Sequence, residues 1–563
     1  MANVNVSALP PDLLHLIATE LSARLDFPTL YNYICASKQI ASSGAVNALY
    51  RVSHDSPLKA GGSEDLPLAE QDLIKRKWSI LWRTIVLSTF GETLYPYAKH
   101  LRVLDLRDLG DLLDDDKFRQ GPIEKHFFSG TLQQFYLTIT PAVKIGTRSR
   151  PKLRLDTQNI ISAIGDAITR HAPLLDGLTE PKLADNLSTA LTTWAPRLTY
   201  LRRLDLWDGR ALADDCIRNL LHVHCPHLDS LRMYHWSASD ADQHLAAFIS
   251  GMQPHKLVEF ENLSHCNIGI ETCLALNTHG ASLRTLKLAL AADGVLALGN
   301  LQGCTSLEIL SIDSLGPTPD LKAAQNDIYL EIIAWLKMCT QLENMSFANL
   351  PSAPDLSIAV LLNEEIKLRS LAIKSSEGFA YLAKDHRIFH DSLANQQTLE
   401  ALLLSADAEG AGFDDLQALN DTLCSLKGLR TLHLYRISDY YNDTYLNALA
   451  VNLLALEELY IGGLSYTDDI WASVAGLKNI RSLTFEGFSA FTEAGLLTYV
   501  DSLSATNRGL VLSIDRAETE TAIPEEGQDR VRQALAAKIP GSRFQYALAR
   551  DPNVQDFDSD DSD

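Results

Sequence analysis

Apolar residues recur along most of the chain in one six-residue phrase, Leu-x-x-Leu-x-Leu. It reads LRRLDL from Leu201, LDSLRM from Leu228, LRTLKL from Leu283 and LEILSI from Leu307. It returns as LENMSF from Leu342, LRSLAI from Leu368, LEALLL from Leu399, LRTLHL from Leu429, LEELYI from Leu456 and IRSLTF from Ile480. A degraded copy, LVEFEN, starts at Leu257. Successive copies begin 24 to 35 residues apart, a period that marks stacked repeats, with the longer gaps read as loop insertions. In an extended segment alternate residues face opposite ways, so the leucines turn inward and the residues between them outward. Helical stretches precede the phrases, such as DDCIRNLLHVHC at 214–225 and NDTYLNALAVNL at 442–453. Asp214 and Asn442 or Asp443 suit N-caps. Leu446, Leu449, Ala450 and Leu453 fall on one helix face, toward the sheet. The expectation is an α/β solenoid: a horseshoe with parallel strands on its concave side and helices on its convex side.

The pattern changes ahead of the repeats. Residues 1–51 are apolar with helical spacing: Leu13, Leu14, Ile17 and Leu21 share a stripe, and Pro10 and Pro11 suit a helix start. A second helix is predicted from about Pro28, carrying Leu30 and Ile34. Residues 52–99 read as a Gly-, Ser- and Pro-rich linker followed by a connecting helix, IKRKWSILWRTIVLSTF. HLRVLDLRDL at 100–109 is the expected first solenoid strand and LQQFYL at 132–137 the second. The solenoid is placed at 100–550. The acidic end, 551–563, cannot bury a core and is expected to be disordered.

At 563 residues the chain exceeds one compact core, a limit that a solenoid avoids because each unit packs only on its neighbours. The formal net charge of −22 disfavours nucleic acid and anionic membranes and makes a basic protein partner the electrostatic expectation. Eight scattered cysteines argue for a reducing compartment, cytoplasmic or nuclear. The first twenty residues lack a basic region and carry Asp12 and Glu20, unlike a signal peptide. No uncharged apolar run is long enough to span a membrane.

The repeats resemble leucine-rich repeats. Cys225, Cys304 and Cys339 each stand three residues before a repeat's first leucine, similar to the cysteine-containing repeats common in F-box proteins. Residues 8–51 in turn resemble an F-box of the loose fungal type. The carrying residues are Leu9-Pro10-x-Asp12-Leu13-Leu14-x-x-Ile17-x-x-x-Leu21, then Asp26-x-x-x-Leu30-x-x-x-x-Cys35-Ala36-Ser37 and a closing Ala48-Leu49-Tyr50-Arg51. The Trp usual in the second half of the family pattern is missing. The resemblance implies that Leu9, Pro10, Leu13, Leu14, Ile17, Leu21 and Leu30 contact a Skp-family SCF adaptor and, through it, a cullin. A plain N-terminal cap over the first repeat is the alternative reading of the same residues.

No Walker A, HExxH or GxSxG motif is present, and neither a cofactor nor an enzymatic activity is expected. His222, His224, Cys225 and His227 are the densest metal-ligand-like group, at a repeat junction where Cys225 already has a packing role. Asp214/Asp215 and Asp468/Asp469 are explained by helix starts. Lys144, Arg148, Arg150, Lys152 and Arg154 make a basic loop in an acidic protein, and Ser559 and Ser562 lie in acidic context. The candidate target-binding positions are the outward residues of the concave strands: Trp207, Arg232, Tyr234, Lys287, His433, Tyr435, Arg436 and Tyr460, with Asp205, Asp208 and His235 beside them. Aromatic and Arg side chains of this kind dominate protein interfaces. The expected function is target recognition in an SCF-type ubiquitin ligase. A non-ligase scaffold and a small-GTPase activator of the leucine-rich-repeat type share the same parts.

Overall fold

The computed structural model describes residues 9–24, 26–51, 67–119, 121–139, 154–182, 187–376, 381–407, 412–438 and 440–548. The chain is a mixed α/β leucine-rich-repeat solenoid, in two compact units, residues 1–267 and 268–563. Most of the basic loop and the acidic tail with Ser559 and Ser562 lie outside the described residues.

The first unit opens on helices Pro11–Ala23 and Phe27–Ala36. Pro11 starts the first without forfeiting a hydrogen bond, and Asp26 caps the second by accepting from the Thr29 N–H at 3.2 Å. Gly44, at φ 107°, breaks the following turn. A side chain there would strike the His15 ring, so both the backbone angle and the close approach require glycine. Leu14, Ala18, Leu30, Ile40, Ala45 and Ala48 form a small core, with Leu9, Leu21 and Ile34 packed around it. Tyr50 joins this segment to the first repeat, its ring 4.8 Å from that of Tyr97. The connecting helix, Leu68–Ser88, is fixed by Trp78 and Trp82, whose indole N–H groups both donate to Asp108 Oδ2 at 2.7 Å.

The strands of this unit's sheet are Val103–Asp105, Gly177–Thr179, Arg203–Asp208, Ser230–His235 and Glu259–Asn262, paired in parallel. Leu104, Leu178, Leu204, Leu231 and Phe260 stand in one buried column. The expected second strand at 132–137 is instead a 3-10 turn, Gly130–Phe135. Leu132 and Phe135, three residues apart, both bury there, a spacing that a strand would put on opposite faces. The true second strand is Gly177–Thr179.

In the second unit, among the described residues, ten strands form one parallel path from Thr285–Leu290 to Arg543–Leu548, and the short strand Tyr381–Leu382 pairs beside it with Ala401–Asp407. Leu286, Leu310, Met345, Leu371, Leu402, Leu432, Leu459, Leu483, Leu512 and Phe544 align across them. The helix Asp443–Asn452 forms as expected, capped by Asn442, and Leu446, Leu449, Ala450 and Leu453 are fully buried. Strands Val511–Ala517 and Arg543–Leu548 extend the sheet beyond the last recognised phrase.

The slot three residues before a phrase holds a thiol or an amide against the preceding repeat at several junctions. Cys339 Sγ lies 3.5 Å from the Cys304 carbonyl, and Cys225 Sγ 4.0 Å from that of Ala195, each in the preceding repeat. Burial pushes the Cys225 and Cys339 thiols up to about 12, which leaves them protonated and unreactive near neutral pH. Gln396 fills the same slot and Asn507 stands three residues before Leu510, ahead of the strand Val511–Ala517; they donate to carbonyls of the repeat before, Leu361 at 3.1 Å and Leu477 at 3.2 Å. Leu426, Leu453 and Leu477 simply pack there. At Gly280 the slot has no room, because a Cβ would meet the Gly303 carbonyl.

Candidate protein-binding surfaces

Three groups of side chains face outward in ways the packing does not demand. The first is on the N-terminal helices. Of the expected adaptor contacts, Leu14 and Leu30 are fully buried in the segment's own core, while Leu9 and Leu21 pack at its margin. Pro10 is exposed, and Leu13 and Ile17 are 45% and 39% exposed. Leu16, at 61%, completes an outward stripe that the sequence reading left out. Its signal was present: positions 13, 16 and 17 share one helix face.

The second group lies on the open face of the first unit's sheet. Leu206 pairs with Met233, which sets the next residues, Trp207 and Tyr234, side by side. Their rings stack 4.1 Å apart at 7°. The Arg107 guanidinium, from an earlier repeat, sits over the same indole, 5.4 Å from its centroid. A charged row runs beside the rings, because Asp205, Arg232 and Glu261 are paired across three strands. Arg107 meets Asp205 at 3.1 Å, and Arg232 meets Glu261 at 2.5 Å. Asp208 lies 3.7 Å from His235 and 2.6 Å from Arg210. Glu180 lies beneath. Its Oε2 accepts the backbone N–H groups of Trp207 at 2.8 Å and Asp208 at 3.1 Å, and burial pushes its carboxyl up to about 8. Glu180 takes the place of the third leucine in Leu175-x-x-Leu178-x-Glu180, the substitution that hid both this strand and this carboxyl from the pattern.

The third group is on the second unit's sheet. Tyr435 stands beside the position of Gly462, since Leu434 pairs with Ile461. With no side chain there, its ring meets Tyr460 at 4.1 Å and 38°. His433 is 6.0 Å from the Tyr460 ring, and its Nε2 is 3.7 Å from Glu458. Burial lowers the His433 pKa, so the ring is neutral near pH 7. The Tyr460 hydroxyl donates to Glu486 Oε2, and Arg516 reaches Glu486 Oε1 only at 3.6 Å. Burial first, and this hydrogen bond second, raise the Tyr460 pKa. Arg436 follows the strand with φ 48° and is exposed. Lys287 is placed several strands away, opposite Ser311.

The other candidates resolve into local packing. His222 is 3.0 Å from the Phe248 carbonyl and stacks on that ring. Asp214 accepts from the Cys216 N–H at 2.8 Å, a helix cap. Asp468 does more: its carboxylate accepts from the Thr492 N–H at 3.1 Å and hydroxyl at 2.5 Å, tying one repeat to the next. Among the described residues no three His, Cys, Asp or Glu side chains are grouped to hold a metal ion, and no helix is long and apolar enough to cross a membrane.

No protein-family model matches the chain, and no curated protein does. Solved structures similar to it include the complex of Rad7 and Elc1 in yeast, at 13% identity and TM-score 0.35 over 66% of this chain and 78% of the other. Another is an internalin from Listeria monocytogenes, at 15% identity and TM-score 0.32 over 57% of this chain and 94% of the other. The repeats and their aligned leucine columns themselves define the class, a leucine-rich-repeat solenoid with a helical segment ahead of it.

Proposed function

We propose that this chain is the substrate-recognition subunit of an SCF-type ubiquitin ligase. Its N-terminal helices dock a Skp-family adaptor and through it a cullin, and the open face of the repeats holds a protein target. The observation that carries this reading is the outward stripe Leu13, Leu16 and Ile17, on a small segment whose own core is already filled by Leu14, Ala18 and Leu30. Grouped exposed apolar side chains mark a surface made for a partner. The chain catalyses nothing in this role. It raises the local concentration of its target beside the conjugating machinery, so the gain is proximity. A net charge of −22 leaves nucleic acid and anionic membrane out of the scheme and favours a basic target.

The test is co-purification from cells using the full chain with Leu13→Ala and Ile17→Ala together. Both side chains are exposed, so folding is expected to be unchanged while adaptor and cullin are lost. Undiminished adaptor binding removes the proposal. Adaptor capture by the parent chain without any cullin turns the reading into a non-ligase scaffold.

A further inference from the structure

We propose that the Tyr435, Tyr460 and Glu486 cluster is a subsite for an arginine side chain of a partner protein. That the partner is a ligase target rests on the function proposed above; the chemistry of the subsite rests on the sheet's open face alone.

The first unit shows what these parts do with a guanidinium. Arg107 lies over the Trp207 ring while its NH2 group meets Asp205 at 3.1 Å. Its Nε donates to the Glu180 backbone carbonyl at 3.3 Å, so one planar cation serves an aromatic face, a carboxylate and a carbonyl together. In that unit the chain supplies the cation itself.

The second unit carries the same parts without that closure. Tyr435 and Tyr460 meet to form one aromatic surface. Glu486 is held by the Tyr460 hydroxyl through Oε2, and its Oε1 is the oxygen nearer Arg516. The cation nearest it, Arg516, stays at 3.6 Å, beyond hydrogen-bond reach, and is 47% exposed. Glu458 is half exposed on the other side, 3.7 Å from His433. Burial keeps that histidine neutral, so it does not offset the carboxylates. Asp515 adds a further negative charge, fixed by the Ser513 hydroxyl at 2.5 Å. Arg516 thus acts as a loose placeholder that an incoming side chain can displace. Arginine fits better than lysine: its flat, weakly hydrated fork lies on a ring while donating in-plane to a carboxylate, and an ammonium cannot do both.

The probe is a short Gly/Ser peptide with two arginines, compared with its lysine and citrulline versions by calorimetric titration of the full chain at low salt. The arginine peptide is expected to bind about tenfold more tightly than the citrulline peptide, with lysine between. Glu486→Gln keeps an acceptor for the Tyr460 hydroxyl and is expected to cost about tenfold. Arg516→Ala removes the placeholder and is expected to raise affinity about threefold, a gain that no folding defect mimics. Equal binding of the citrulline peptide, or no response to either substitution, overturns the subsite. If the Leu13/Ile17 variant loses the adaptor while Glu486→Gln leaves peptide binding unchanged, the receptor reading stands and the subsite falls. If adaptor binding never responds while the peptide results hold, the subsite stands and the receptor reading falls.

Discussion

The two aromatic groups on the open faces are built from the same side-chain types and differ in how closely their cations meet the carboxylates. Around Trp207 and Tyr234, Arg107 and Arg232 meet Asp205 and Glu261 at 3.1 and 2.5 Å, and the side chains of those carboxylates are 12% and 2% exposed. Around Tyr435 and Tyr460 the side chains of Glu486 and Glu458 are 22% and 50% exposed, and the nearby Arg516 stands 3.6 Å from Glu486. A charge that is buried must be paired or give up its ionisation, whereas a charge left near the surface costs little and remains able to meet a partner. On the proposed reading the first group serves stability and the second recognition. Residue type alone does not separate the two roles; burial of the counter-charges does.

The sharpest way to break this comparison is Arg232→Ala. It removes the closest cation of Glu261, which is 2% exposed, while Arg107 still holds Asp205, and breaking a buried pair from one side costs about 3 kcal/mol. Denaturant unfolding is expected to show that loss, with no similar loss for Tyr435→Ala. Trp207→Ala follows at about 2 kcal/mol, because it removes a half-buried indole together with its stacking and cation contacts. If Arg232→Ala and Trp207→Ala are both neutral to stability, the first group is a binding surface like the second.

Glu180 sharpens the comparison through pH. Burial raises its folded pKa to about 8, against roughly 4.3 in an unfolded chain. Between these values the folded state keeps a proton that the unfolded state has lost. Stability from this group is therefore full at low pH and falls as pH rises through the window. Glu180→Gln keeps an oxygen for the Trp207 and Asp208 N–H groups and removes the ionisation. It is expected to stabilise the protein by about 2 kcal/mol at pH 8 and by little at pH 4.5. Melting curves across that range check it; a variant less stable at pH 8 contradicts the burial argument.

The repeats were legible because inward leucines are a packing requirement that each unit repeats. The pattern is lost where another residue meets that requirement. Glu180 stands for a leucine at Gly177–Thr179, and the strands Val511–Ala517 and Arg543–Leu548 follow no full phrase. LQQFYL misled in the opposite direction, offering alternation that Leu132 and Phe135 use as a 3-10 turn. In the N-terminal segment the stripe was visible, but its division was not: a helix stripe predicts a buried face without saying how much its own neighbours cover, so Leu14 and Leu30 were grouped with Leu13 and Ile17. The open-face aromatics were identified by type and strand position. Their cations were not, because Arg107 and Arg516 reach them from other repeats.

The smallest effect tests the second group from its own side. Glu486 and Arg516 are 22% and 47% exposed and 3.6 Å apart. A pair so placed is screened by water and contributes at most about 0.5 kcal/mol. Glu486→Gln is therefore expected to leave the unfolding midpoint almost unmoved, while any capture of a basic partner through this face weakens. Salt gives the same contrast without mutation. Raising ionic strength shortens the screening length from about 10 Å at 0.1 M to about 3 Å at 1 M, which reaches the exposed carboxylates before the buried row at Arg232. Partner binding is expected to fall steeply with salt while thermal stability changes little. A Glu486→Gln protein that unfolds as readily as Arg232→Ala would show that both groups are structural, and the contrast between them would be lost.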